Sequence, residues 1–213
     1  MFNNINCALV LAPHTDDGEF GCGGTLAKLV EEGVKVFYAS FSSCEESVPE
    51  GFPKDILFHE MICAVQELGI LPENVISYNY PVRKFNYQRQ EILENIISLK
   101  KKINPDLVFI PSLNDIHQDH KVIAEEGVRA FKNNTILSYE LLWNIISFKN
   151  TCFVELSSIH VEKKIRAIQE YKSQIFRGYS SPEFIKSQAK VRGVQVGLEN
   201  AEVFEVVRIF SKL

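Results

Sequence analysis

The residues best equipped for chemistry lie in two short clusters. Pro13-His14-Thr15-Asp16-Asp17-Gly18-Glu19 follows one apolar run, and Asp115-Ile116-His117-Gln118-Asp119-His120 follows a second, much later one. They hold three of the five histidines of the chain together with four aspartates. A strand-end histidine, a helix N-cap and a helix-start histidine would explain His14, Asp17 and His120 singly, but not their grouping. Imidazole nitrogen and carboxylate oxygen are the natural non-thiolate ligands of zinc, and three protein ligands with an open position make a catalytic site. His14, Asp17 and His120 supply that set, which suits ferrous iron as well as zinc. Water on such an ion has its pKa lowered to about 7 and needs a carboxylate to take its proton before it attacks a carbonyl. Asp16 is the candidate base. His117 is placed to stabilise the oxyanion and protonate a leaving amine, with Asp119 either orienting it or raising its pKa, or else capping a helix.

For two distant clusters to act together, the elements before them must be neighbours. Cys7–Ala12 is a short apolar run closed by Pro13, which predicts a strand buried on both faces, and Asp106–Pro111 repeats its signature. Helices are expected over Thr25–Glu32, Pro53–Leu68, Asn86–Ile103, Asp119–Phe131 and Ser158–Ser173. Strands are expected over Val34–Phe41, Val75–Tyr78, Ile136–Glu140 and Cys152–Leu156. This alternation predicts an α/β fold: a three-layer Rossmann-like sandwich with a mostly parallel sheet of order 3-2-1-4-5. The first and fourth strands then adjoin at the switch point, and both clusters meet at the strand C-terminal ends. Residues 1–213 are expected to form a single domain, with an irregular tail over 177–213 packing near the site. Gly18, Gly21, Gly23 and Gly24 do not match G-x-G-x-x-G and no G-K-[ST] follows, so a nucleotide fingerprint is disfavoured. The glycines are expected to let the backbone turn tightly and approach substrate or metal, with helix amides free to hold a polar group.

Composition excludes several classes. The chain is 46% hydrophobic and 23% charged, as in ordinary globular proteins. Its net charge of −4 and pI near 5.8 offer no footprint for nucleic acid. Its apolar stretches are too short for a membrane span, and Met1-Phe2-Asn3-Asn4 lacks the positive region of a signal peptide. Five cysteines without a C-x-x-C pair read as small buried residues in a reducing, cytoplasmic compartment.

Pro13-His14-Thr15-Asp16-Asp17-Gly18-Glu19-Phe20-Gly21-Cys22-Gly23-Gly24 resembles the P-H-x-D-D-x-x-x-G-x-G-G signature of the PIG-L/LmbE family of zinc-dependent N-acetylglucosaminyl deacetylases. His117-Gln118-Asp119-His120 resembles its H-x-D-H element. Lys164–Gln174 is similar to its late helix ending in serine-glutamine, and Arg192-Gly193 with Ala201-Glu202-Val203-Phe204 resembles its closing A-E-x-F segment. The resemblance implies a Rossmann-like fold and zinc on His14, Asp17 and His120. It also implies a base at Asp16, an oxyanion-stabilising His117, and an N-acetylated amino sugar or sugar conjugate as substrate. Thr15 replaces a usual proline. The family's arginine a turn before the position of Glu60 is missing, with Ile56, Leu57 and Phe58 there and Lys54 the nearest cation. Ser42-Ser43-Cys44 replaces a common T-x-G. Thr15, Glu140, Arg192 and Glu202 are the candidate substrate contacts.

The leading expectation is therefore a zinc-dependent N-deacetylase acting on a small-molecule sugar derivative, with no nucleic-acid partner and room for a symmetric homo-oligomer. The alternatives are a binding or regulatory protein that keeps the fold with little catalysis, and a nucleotide-dependent enzyme on the same winding.

Overall fold

A computed structural model describes residues 5–211. The reading of Met1–Asn4 falls outside the described residues. The elements run β1 (Cys7–Ala12), α1 (Asp17–Glu31), β2 (Lys35–Ser40), α2 (Ile56–Glu67), β3 (Val75–Ser77), α3 (Arg89–Ile103), β4 (Leu107–Pro111) and α4 (Gln118–Ala130), followed by β5 (Thr135–Tyr139), β6 (Cys152–Glu155), α5 (Ser158–Gln169), α6 (Pro182–Val194) and β7 (Ala201–Arg208). They build a seven-stranded sheet of order β3-β2-β1-β4-β5-β7-β6. The first five strands in that order are mutually parallel, as expected, and β7 runs antiparallel to both β5 and β6.

The apolar runs of β1 and β4 follow from burial on both faces of the sheet. Ala8, Val10 and Ala12 face a core built with Leu26, Met61, Ile165 and Ile185 from α1, α2, α5 and α6. Leu9 and Leu11 face the opposite core, with Ile92, Ile96, Val122 and Ile123 from α3 and α4. Pairing of β1 directly with β4 brings the two chemical clusters to one sheet edge. Among the described residues no helix is long and apolar enough to cross a membrane.

Two expectations are corrected here. The segment read as an irregular tail carries α6 and the eight-residue β7, which is inserted between β5 and β6. The glycine-rich stretch is helical rather than a tight turn: α1 starts at Asp17 and is kinked at Cys22 (φ −146°, ψ 15°). The glycines serve close approach. A Cβ on Gly18 would lie 2.5 Å from the Tyr38 ring, and one on Gly21 would lie 2.2 Å from the Tyr139 ring. Only a bare backbone lets this helix sit directly on the sheet's tyrosines.

The kink restarts the helix, leaving the Gly24 and Thr25 amides without helical acceptors. Glu202 on β7 takes both, at 2.9 and 2.6 Å, and Lys164 on α5 bridges Glu202 (2.7 Å) and the Phe20 carbonyl (2.7 Å). Helix amides hold a polar group as expected, but it belongs to the chain itself. Lys164→Met strips a buried carboxylate of its cation and is expected to lower unfolding free energy by about 3 kcal/mol, read by urea denaturation. KM should stay unchanged, and a KM effect without a stability loss would return Glu202 to the substrate.

Candidate active site

His14, Thr15, Asp16 and Asp17 occupy the turn from β1 into α1, and Asp115, His117, Asp119 and His120 the turn from β4 into α4. His14 Nδ1, Asp17 Oδ2 and His120 Nε2 form a near-equilateral triangle: 3.1 Å from His14 to Asp17, 3.2 Å from Asp17 to His120, and 3.1 Å between the histidines. Four-coordinate zinc with bonds of about 2.0–2.1 Å sets its donors roughly 3.3 Å apart, so these three atoms could hold such an ion. His117 offers a further nitrogen within 4.8 Å of the other two histidines. Its Nδ1 accepts the Asp119 amide at 3.2 Å, however, and it brings no charge, which favours Asp17 as the third donor.

The outer nitrogens of both ligating rings are held by carboxylates. His14 Nε2 lies 3.1 Å from Asp119 Oδ2, and His120 Nδ1 lies 2.8 Å from Asp115 Oδ2. Such partners fix tautomer and ring orientation, leaving His14 Nδ1 and His120 Nε2 as the donors that face inward. Asp119 is thus a correction: its carboxylate serves His14 and accepts the amides of Arg83 (2.5 Å) and Phe85 (3.3 Å), and only its backbone touches His117. Burial opposes charge on the His120 ring, but Asp17 and Asp115 outweigh it and the pKa is pushed up to about 10. Burial likewise opposes charge on Asp17, yet His120 and His14 hold its carboxyl well below the usual range.

The triangle opens into a cavity of about 350 Å³ lined by, among others, Thr15, Asp16, His117, Arg83, Arg177 and Gln174. Burial first, and then Asp17, raises the pKa of Asp16; Arg177, whose Nη1 is 3.4 Å from Asp16 Oδ2, works the other way. Burial pushes the His117 ring down to about 4, helped by His120 and His14, so the ring is neutral at pH 7. With Nδ1 accepting, its proton sits on Nε2 and is available for donation. Trp143 and Tyr179 stack at 3.9 Å and 11° on the cavity wall, with the Arg177 guanidinium 5.8 Å from the Tyr179 ring.

The sequence of the PIG-L family, described as GlcNAc-PI de-N-acetylase, matches residues 9–131, more than half of the chain. The chain belongs to the PIG-L family. Hydrolytic N-deacetylation is its enzymatic class. The diacetylchitobiose deacetylase of Thermococcus kodakarensis is 23% identical over 198 residues, covering 81% of this chain and 72% of the relative. The N,N'-diacetylchitobiose deacetylase structure from Pyrococcus horikoshii superposes with a TM-score of 0.81 at 23% identity, over 97% of this chain and 85% of that one. The 4-carboxy-2-hydroxymuconate hydratase of Pseudomonas putida has the same fold, with a TM-score of 0.78 at 19% identity over 98% and 100% of the two chains. Fold alone therefore does not select the reaction, and the PIG-L site residues must.

Within this PIG-L site, Thr15 lines the cavity but Glu140, Arg192 and Glu202 do not. Arg192 on α6 grips Glu140 with two bonds of 2.8 and 2.5 Å, and Glu202 is committed to the α1 kink. Each of these charges is answered inside the chain, so none is free for substrate. Leu57 occupies the cavity wall on α2 where the family's arginine is missing, and Arg83 and Arg177 supply guanidinium groups instead. Lys54 points to the Glu45 carbonyl at 3.5 Å. Cys44, at the glycine of the common T-x-G, also lines the cavity and holds a left-handed φ of 58°. Asp115 is a site residue that the sequence placed in its cluster without a role.

Arg177→Gln gives a pH signature. A base acts ionised, so its rate limb falls as pH drops through its pKa. Removing Arg177 takes away a cation that lowers the pKa of Asp16, so the acidic limb of kcat/KM is expected to move to higher pH. An unmoved limb would separate Asp16 from that limb.

Beneath the metal loop, Glu19 bonds Tyr38 and Tyr171, and both tyrosine hydroxyls also reach the Thr15 carbonyl, at 3.0 and 2.6 Å. Burial pushes Glu19 from its ordinary 4.5 up to about 8, against the hydrogen bonds from the two tyrosines. The folded state thus keeps this proton to higher pH than the unfolded chain does. The stability it contributes is complete below about 4.5 and is lost as pH rises through about 8. Denaturation midpoints measured between about pH 5 and 9 should fall more steeply for the native chain than for Glu19→Gln, and parallel profiles would refute the assignment.

Proposed function

We propose that this protein removes the acetyl group from the nitrogen of an N-acetylated amino sugar or sugar conjugate, with zinc as its metal. The reading rests on the donor triangle of His14 Nδ1, Asp17 Oδ2 and His120 Nε2, whose separations of 3.1 to 3.2 Å fit one ion, set beside Asp16 and His117 in one cavity. When bound, a divalent ion there supplies Lewis acidity to the amide carbonyl and lowers the pKa of water. Asp16 receives the proton of the attacking water, and Arg177 keeps it ionised for that task. His117 Nε2–H donates to the oxygen on which negative charge develops, while the Asp119 amide fixes the ring by bonding Nδ1. The proton collected by Asp16 then passes to the departing amine. Asp119 and Asp115 hold the ligating rings, and the Trp143–Tyr179 wall suits the C–H face of a sugar ring.

The names of the deacetylases that resemble this chain support an acetylated sugar as the substrate class. The test is a screen of N-acetylated amino sugars and sugar nucleotides for free amine and acetate, with Asp16→Asn as the blank. Release by the native chain and not by the variant supports the reading; equal release by both defeats it.

A further inference from the structure

One polar group on the cavity wall has no task in the chemistry above. Gln174 is 3% exposed and lines the cavity with Arg177 and Asp16, and its Oε1 has no hydrogen-bond partner among the described residues. The direction of its amide is decided one residue away. Glu60 on α2 accepts the Ser173 backbone N–H at 2.8 Å and the Ser173 hydroxyl at 2.6 Å. That hydroxyl has a single proton, committed to Glu60, so toward Gln174 it can only accept. It takes a bond from Gln174 Nε2 at 3.3 Å. The nitrogen therefore belongs on the Ser173 side, and the oxygen is left as an acceptor without a donor. Buried carbonyl oxygens are rarely left so, and a wall that holds one complements a ligand that brings a hydrogen to it.

We infer that Gln174 is a specificity-determining residue whose Oε1 accepts a hydrogen bond from a ring hydroxyl of the sugar bearing the acetamido group. The inference rests on the deacetylase reading. Hydroxyls fit because an acceptor oxygen rejects carboxylate or phosphate, and because a sugar offers donors around the ring while its amide faces Asp16 and His117. The Glu60–Ser173–Gln174 chain sets this contact in advance. Sites built to bond a substrate hydroxyl discriminate strongly against an analogue that lacks it.

The experiment compares kcat/KM for acetate release from methyl N-acetylglucosaminide and its 3-deoxy, 4-deoxy and 6-deoxy analogues, using the native chain and Gln174→Met. The native chain is expected to lose about 10-fold or more on one analogue, Gln174→Met to lose as much on the parent sugar, and the variant to treat that analogue and the parent alike. Bound metal and Tm should match between the two proteins. Acetate from the parent with no discrimination among the analogues by the native chain overturns the Gln174 assignment alone, and needs no variant to fold. No acetate from the parent by the native chain overturns the deacetylase reading for this sugar class and the inference with it.

Discussion

Asp17→Ala is expected to abolish stoichiometric metal binding and to reduce amide hydrolysis to background. Asp17 is the one charged donor of the triangle, and its Oδ2 also accepts the His14 amide at 2.8 Å, so the carboxylate sets both the charge and the shape of the turn. What remains is two imidazoles whose other nitrogens are already held by Asp119 and Asp115. Losing an outer partner of a metal ligand typically costs about 10- to 100-fold in affinity, and losing the charged ligand itself should exceed that. Competition with a chromophoric chelator measures it. Near-native affinity in Asp17→Ala would move the third ligand elsewhere, and His117 would be the first candidate, since its nitrogen lies within 4.8 Å of those of His14 and His120.

Asp16→Asn should keep the metal and lose the reaction. The side chain is isosteric, its carboxylate is no donor of the triangle, and an amide cannot take a proton from water. Loss of a positioned base typically costs about 10²- to 10⁴-fold in kcat, with little change in substrate binding. Metal content by elemental analysis and kcat from acetate release separate the two properties. A variant retaining more than about a tenth of native kcat would remove Asp16 from the base role.

The chemistry was legible because it is local. Both clusters announce themselves through residue type and through the apolar strands before them, and strands buried on two faces read as continuous runs. That β1 and β4 are neighbours follows from the handedness of parallel crossovers, so the juxtaposition of His14 and His120 was accessible from the chain order. The family resemblance and the parallel part of the sheet, 3-2-1-4-5, stand as read.

What was not legible depends on partners far away in sequence. Glycines count against a helix by propensity, and nothing near Gly18 or Gly21 reveals that Tyr38 and Tyr139 press on them. Glu140, Arg192 and Glu202 look like site residues because charged groups near strand ends often are, but their charges are answered across the fold by one another and by Lys164. β7 carried a signal in its Val203, Phe204, Val206 and Val207 that was passed over. Its two interior neighbours bury both faces of its first half and erase the alternation that marks a half-exposed strand. Arg177, Gln174, Trp143 and Tyr179 sit singly on connections, where no spacing marks a residue as facing a cavity.

The most direct test of the central claim is the amount of acetate released per free amine formed when the native chain, carrying one equivalent of zinc, acts on a panel of N-acetylated amino sugars and sugar conjugates. The predicted result is equal acetate and amine from at least one member, with none from the metal-stripped chain or from Asp16→Asn. Zinc held in place by His14, Asp17 and His120 with no acetate from any member, or acetate formed equally well by the stripped chain, would contradict the account.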